Sequence, residues 1–149
     1  MLDNTPVESL FEGVRVGSND FAHAAMSGLY LWNDCLEESH RISQKIKSET
    51  GSFWHAIMHR REPDFSNSKY WWGKVGQHPL FADLHGSALQ ILAGVEGHWN
   101  AGTRGRLEEK GRWLPLEFVD WCEACSKGGE GREILESIHA LGVLLGRTE

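Results

Sequence analysis

Apolar side chains return every three to four residues through most of this chain, and no stretch alternates apolar and polar as a half-buried strand must. A period of 3.6 without a period of 2 confines the chain to helices packed on helices. Prolines, glycines and short hydroxyl or carboxylate residues then cut the pattern into segments. Pro6 to about Val14 reads as a short first helix. Ser18 or Asn19 caps a long one running to about Lys47, with a buried seam at Phe21, Ala25, Leu29, Trp32, Leu36, Ile42 and Ile46. Ser48-Glu49-Thr50-Gly51 breaks that helix, and Ser52 is the expected N-cap of a third one reaching Arg61. Pro63 disfavours helical geometry at Glu62. Asp64 or Ser66 caps the following helix, Asn67 to Val75, which Gly76 ends.

His78-Pro79 opens a helix to about Gly94, with Phe81, Leu84, Ala88, Ile91 and Val95 on its buried side. From Gly94 to Arg112, five glycines and four basic residues read as a long loop with one turn of helix at Leu107–Lys110. Pro115 starts a helix to about Lys127, and Gly128-Gly129 separates it from a last helix, Glu130 to Leu145. The expected fold is all-α: a compact single-domain bundle of five to seven helices spanning residues 1–149.

Composition narrows the class of function. The chain has 149 residues, 40% of them apolar, which is enough for a real core. A formal charge of −6 disfavours nucleic acid and anionic membrane surfaces, both of which need a basic field. No apolar run approaches the ~20 residues of a membrane span. The opening Met1-Leu2-Asp3-Asn4 lacks the basic and apolar parts of a secretory signal, so a cytoplasmic location is expected. Three cysteines support no disulfide framework. Cys122-x-x-Cys125 falls in the second half of its helix rather than at the N-terminus that a redox pair needs, and reads as two small apolar residues on one face.

Chemistry concentrates between Phe53 and Pro79, which hold three of the eight histidines and three of the seven tryptophans. On a wheel of 100° per residue, Phe53, Trp54, Ile57 and Met58 form the core arc, while His55, His59 and Glu62 share a separate stripe about 60° wide. That stacking suits a divalent metal held by His55, His59 and Glu62, or a general base oriented by Glu62. The competing reading is a solvated face, although such faces are usually built from Lys, Glu, Gln and Ser. His40 sits at its own seam edge and can join the His55 stripe.

Arg61 falls inside the apolar arc, where an unpaired guanidinium is very costly. Asp64 is its nearest partner in sequence, either in a pair that locks the turn at Pro63 or with Arg60 and Arg61 clamping an anionic ligand. Asp64 and Asn67 also suit a plain helix start. Tyr70, Trp71 and Trp72 read as core and packing residues, one of which can line a pocket, and Trp54 and Tyr70 are the candidate ligand-binding aromatics. Glu37-x-x-His40 and Glu136-x-x-His139 have the spacing of di-iron bundles, but both glutamates project away from their helix seams. His23 is expected in solvent, His78 in a cap or turn, and His85 beside the buried side of its helix. His98 and Trp99 sit in the expected loop, where Arg104, Arg106, Lys110 and Arg112 make a local positive field.

The run Trp54-His55-x-x-x-His59-Arg60-Arg61-Glu62-x-Asp64-x-x-Asn67-x-x-Tyr70-Trp71, followed by His78-Pro79, resembles the core motif of a family of small uncharacterised bacterial and fungal proteins. Trp113, Pro115 and Phe118-Val119-Asp120 are similar to that family's second block. The resemblance covers about a third of the chain and implies a His/Arg/carboxylate signature, with no activity, cofactor or substrate attached.

Two functions follow as expectations. One is a small-molecule enzyme or ligand-binding protein, with hydrolysis or proton transfer as its chemistry. There His55, His59, Glu62 and Asp64 are catalytic, and Arg60, Arg61, Asn67, Tyr70 and Trp54 hold a small, anionic ligand. The other is a non-catalytic helical interaction module in which the cluster is structural and exposed aromatics dock a partner or a second copy as a homodimer.

Overall fold

The computed structural model describes residues 9, 12–13, 17–94 and 98–127, with only the backbone at 98–100. The last expected helix lies outside these residues, as does the first apart from Ser9, Glu12 and Gly13. Among the described residues there are seven α-helices and no strand, so the all-α class stands. None of these helices is long and apolar enough to cross a membrane. The helices gather into two compact units, divided after Gly76.

The first unit contains α1 (Asn19–Trp32), α2 (Leu36–Ser43), α3 (Glu49–Arg61) and α4 (Phe65–Val75). The single helix expected from Ser18 to Lys47 is two helices. Ser18 caps α1 as expected, its hydroxyl accepting from Asp20 N at 3.2 Å. The break after Trp32 is a Schellman end: Cys35 N donates to Tyr30 O at 2.9 Å and Asp34 N to Leu31 O at 3.2 Å. Asp34 takes the left-handed position that usually belongs to glycine, with φ of 63°. The chain turns there, and α2 leaves in a new direction.

That turn also corrects the α1 seam. Phe21 and Trp32 are 66% and 57% exposed, Leu29 is 42% exposed, and Ala25 is exposed. The buried side is Ala22, Met26 and Tyr30, one residue further round, with Ala24, Ser27 and Leu31 beside it. Small residues let the helices approach closely. Ser27 Oγ lies 2.8 Å from Ser39 Oγ across α1 and α2. Gly28 faces the Trp54 indole so tightly that a Cβ would meet it at 2.8 Å.

The helix α3 begins earlier than expected. Ser48, not Ser52, is the N-cap, accepting from Gly51 N at 3.3 Å. The residues that looked like a breaker are its first turn. Gly51 permits this because it packs directly on Ile46, where any Cβ would collide with the Ile46 carbonyl and side chain. Centrally placed, α3 packs on α4, α2 and α1. It therefore buries both of the stripes separated on the wheel: Phe53 and Met58 on one side, His55 and His59 on the other. Pro63 ends it as expected. Asp64 then caps α4 through Asn67 N at 3.2 Å, and Gly76 closes that helix.

The second unit contains α5 (Phe81–Ala93), α6 (His98–Lys110) and α7 (Pro115–Ser126). Most of the expected Gly94–Arg112 loop is the helix α6. Its glycines at 102 and 105 face open space, and Arg104–Glu108 and Arg106–Glu109 pairs run along its surface at 2.8 and 3.3 Å. Thr103 and Leu107, four apart, are its buried contacts. His85 Nε2 reaches Leu107 O at 3.1 Å, joining α5 to α6. Arg106 grips Glu117 of α7 with two bonds, at 2.9 and 3.0 Å. The expected positive field of this segment is therefore largely neutralised by its own glutamates. Cys122 and Cys125 are buried free thiols in the second half of α7, and burial pushes Cys125 up, away from thiolate character.

Candidate metal centre

Three imidazoles meet between α2 and α3. His55 and His59 are one turn apart on α3, with their Nε2 atoms 2.9 Å from each other. His40 enters from α2, its ring edge-on to both, at centroid distances of 4.8 Å to His55 and 5.2 Å to His59. One ligating atom from each lies within 4.8 Å of the others. His55 and His59 are only 3% and 5% exposed, and His40 is half-buried. These histidines do not form a solvated face.

Sequence placed two of the three on one stripe because i and i+4 always share a helix face. The third needed tertiary structure. The turn at Asp34 leads into α2, the buried Ser39 holds α2 against Ser27 of α1, and the next residue, His40, reaches the α3 rings. Arg61 reinforces that turn. Its guanidinium donates to Leu31 O, a carbonyl at the end of α1, and pairs with Asp34. Both the charge and the donors suit a helix C-terminus. The expected Arg61–Asp64 pair is thereby corrected: the partner is Asp34, and Arg61 is not free to clamp a ligand.

Glu62 and Asp64 stand behind the trio. Glu62 Oε2 is 3.5 Å and Asp64 Oδ2 is 3.8 Å from His59 Nδ1, the ring nitrogen facing away from His55. The carboxylates favour a proton on that Nδ1, which leaves His59 Nε2 as a bare acceptor facing His55 Nε2. The expected metal set of His55, His59 and Glu62 is accordingly revised. The converging group is His40, His55 and His59, with Glu62 behind His59. Asp64 is held ionised, its carboxyl kept below the usual range mainly by the hydrogen bond from Asn67 N.

Burial and the surrounding positive groups favour neutral rings. Burial, followed by His59, His40 and Lys74, pushes the His55 pKa from 6.5 down to about 3. Burial and His40 lower that of His59 against the pull of Glu62 and Asp64. Neutral imidazole is the form that binds metal.

Of the three aromatics at 70–72, Trp71 is the one that lies against the imidazole cluster. Its indole stacks on His55 at 4.0 Å and 21°. The other expected wall residues lie elsewhere. Trp54 packs against Gly28 and Phe53, and Tyr70 is 57% exposed beneath the Lys74 ammonium. Asn67 serves the α4 cap, and Arg60 is half-buried on α3. Glu37 is exposed, and its di-iron counterpart Glu136 lies outside the described residues. His23 contacts Asn19 O at 2.7 Å, and His78 accepts from Leu80 N at 3.4 Å, as a turn residue should.

The donor set fits a transition metal. Two nitrogens at ~2.0–2.1 Å from one ion stand roughly 2.9–3.4 Å apart at cis or tetrahedral angles. The 2.9 Å Nε2 pair already meets this spacing. The ligand atoms lie within 4.8 Å of one another, so the most widely spaced pair closes by up to about 1.4 Å when all three bind one tetrahedral ion. Neutral nitrogen donors suit zinc, copper, nickel or iron and not magnesium or calcium, which take oxygen. Comparison with protein-family models, curated proteins and solved structures returns no match.

Proposed function

We propose that this protein holds one divalent transition-metal ion, zinc foremost, on His40, His55 and His59, and uses it for hydrolysis or proton transfer on a small, anionic molecule. The observation that carries this reading is the convergence of three imidazoles from two helices. A structural role would give the buried rings backbone partners. Instead, their Nε2 atoms face each other, the Nδ1 of His55 has no hydrogen-bond partner among the described residues, and the Nδ1 of His59 faces only the Glu62 and Asp64 carboxylates at 3.5 and 3.8 Å. His55 and His59 are also the two histidines of the motif that resembles the small bacterial and fungal family.

Three protein ligands leave a coordination position open, the usual distinction between catalytic and structural zinc. A divalent ion there supplies Lewis acidity at neutral pH and negative-charge stabilisation for an anionic substrate. The chain's own groups do the rest. The Glu62 and Asp64 carboxylates, 3.5 and 3.8 Å from His59 Nδ1, favour the proton on that nitrogen, and burial keeps His55 uncharged.

Metal analysis of the purified protein, followed by zinc and cobalt titration of the chelator-stripped form, tests this. One equivalent is expected, lost in His40→Ala, His55→Ala and His59→Ala. A wild type that binds no stoichiometric metal ends the reading. A second reading, the non-catalytic interaction module, draws on the exposed Phe21, Leu29 and Trp32 of α1. It gains if metal is absent and Trp32→Ser abolishes self-association on a sizing column.

A further inference from the structure

Resting on the metal reading above, we infer that Trp71 is a positioning residue for the metal centre, fixing the ring plane of His55 by stacking in place of the usual hydrogen bond. A metal-bound histidine normally donates its second ring nitrogen to a carboxylate, carbonyl or water, which sets its tautomer and orientation. His59 has carboxylates on that side, with Glu62 and Asp64 at 3.5 and 3.8 Å from its Nδ1. His55 does not. Its Nδ1 is buried and has no hydrogen-bond partner among the described residues. Without another restraint, the imidazole would be free to turn about its last side-chain torsion, which is broad for histidine.

The indole supplies the restraint. Trp71 lies over the His55 ring at 4.0 Å, with the planes 21° apart, a near-parallel contact that a rotated imidazole would lose. Trp71 is itself held on α4. The Tyr70 ring meets it edge-on at 5.5 Å and 81°, and Lys74 Nζ lies 4.6 Å from its centroid. The α4 helix in turn is fixed on α3, because Ser68 Oγ donates to Ala56 O at 2.7 Å, one residue beyond His55. Thus two ligands of the centre are aimed by different means, one by carboxylates and one by an aromatic plane.

Cobalt(II) and zinc(II) binding to wild type, Trp71→Phe and Trp71→Leu separates this role from simple packing. Trp71→Leu should weaken both metals 10–100-fold and alter the visible cobalt spectrum. Trp71→Phe, which keeps a flat ring, should restore most of the affinity and the wild-type spectrum. Circular dichroism and the melting temperature of the metal-free variants establish that both fold. Equal affinity and identical cobalt spectra in folded Trp71→Leu overturn the inference while leaving the metal reading intact. Absence of metal binding by the wild type overturns the metal reading itself. A loss in Trp71→Phe equal to that in Trp71→Leu shows that a flat ring is not what matters, and also refutes the inference.

Discussion

Acidification is the most direct perturbation of the imidazole cluster. In the unfolded chain the His55 ring takes a proton around 6.5, whereas in the folded protein it does so only near 3. Between those values the unfolded state carries one more proton at this position, so stability falls as pH falls. The contribution is complete above 6.5, declines by up to ~1.4 kcal/mol per pH unit below it, and levels off under about 3. From pH 6.5 to 4.5 this amounts to about 2–3 kcal/mol from His55, a large fraction of a typical domain's stability. His59, also lowered, adds a loss of the same sign. Asp64 contributes in a lower window: its depressed carboxyl stabilises the fold above the ordinary value of 3.8 and loses that effect only below it. The assay is urea unfolding of metal-free protein between pH 7.5 and 4.5, comparing wild type with His55→Phe, which keeps a flat ring against Trp71 and cannot titrate. The wild type should lose about 2–3 kcal/mol more than the variant between pH 6.5 and 4.5. Parallel curves, or a His55 imidazole seen by NMR to titrate near 6.5 in the folded protein, refute the reasoning.

Four further outcomes are expected. Arg61→Met should cost about 1–2 kcal/mol in chemical unfolding, mostly from the lost donor to Leu31 O and little from the solvent-exposed pair with Asp34. Gly51→Ala should destabilise by about 1–3 kcal/mol, because the added methyl collides with Ile46 backbone, which cannot swing aside as a side chain would. Asp64→Ala should cost about 1 kcal/mol through the lost α4 cap, and Asp64→Asn should recover most of that. Zinc at a hundred times its dissociation constant should stabilise the wild type by about 2.7 kcal/mol, read as a raised melting temperature that a chelator reverses and His59→Ala lacks.

How much of the site was legible beforehand follows from which interactions are local. The His55–His59 pair and the ends of α3 and α4 at Pro63, Asp64 and Gly76 depend on residues within a turn or two, and the sequence pattern located them. Asn33-Asp34 was also a local signal. Apolar residues that continue at helical spacing on both sides of it mask the break. The α6 helix was missed for the opposite reason: glycine content outweighed the Thr103–Leu107 spacing and the Arg–Glu pairs that mark it. The partners of Arg61 lie 27 and 30 residues away in sequence, beyond any reading of adjacency.

By itself the sequence determined that this chain is helical, where most of its helices stop, and that two imidazoles share one side of α3. Those are properties of backbone geometry and short-range capping, which need no neighbours. Tertiary structure alone decided that this side is buried, that His40 completes the trio, and that Trp71 lies against His55. Each of these depends on how close α2 and α4 come to α3. Ser39 seats α2 on Ser27 of α1 and Ser68 ties α4 to Ala56 of α3, and these are properties of surfaces meeting across the chain rather than of any one helix.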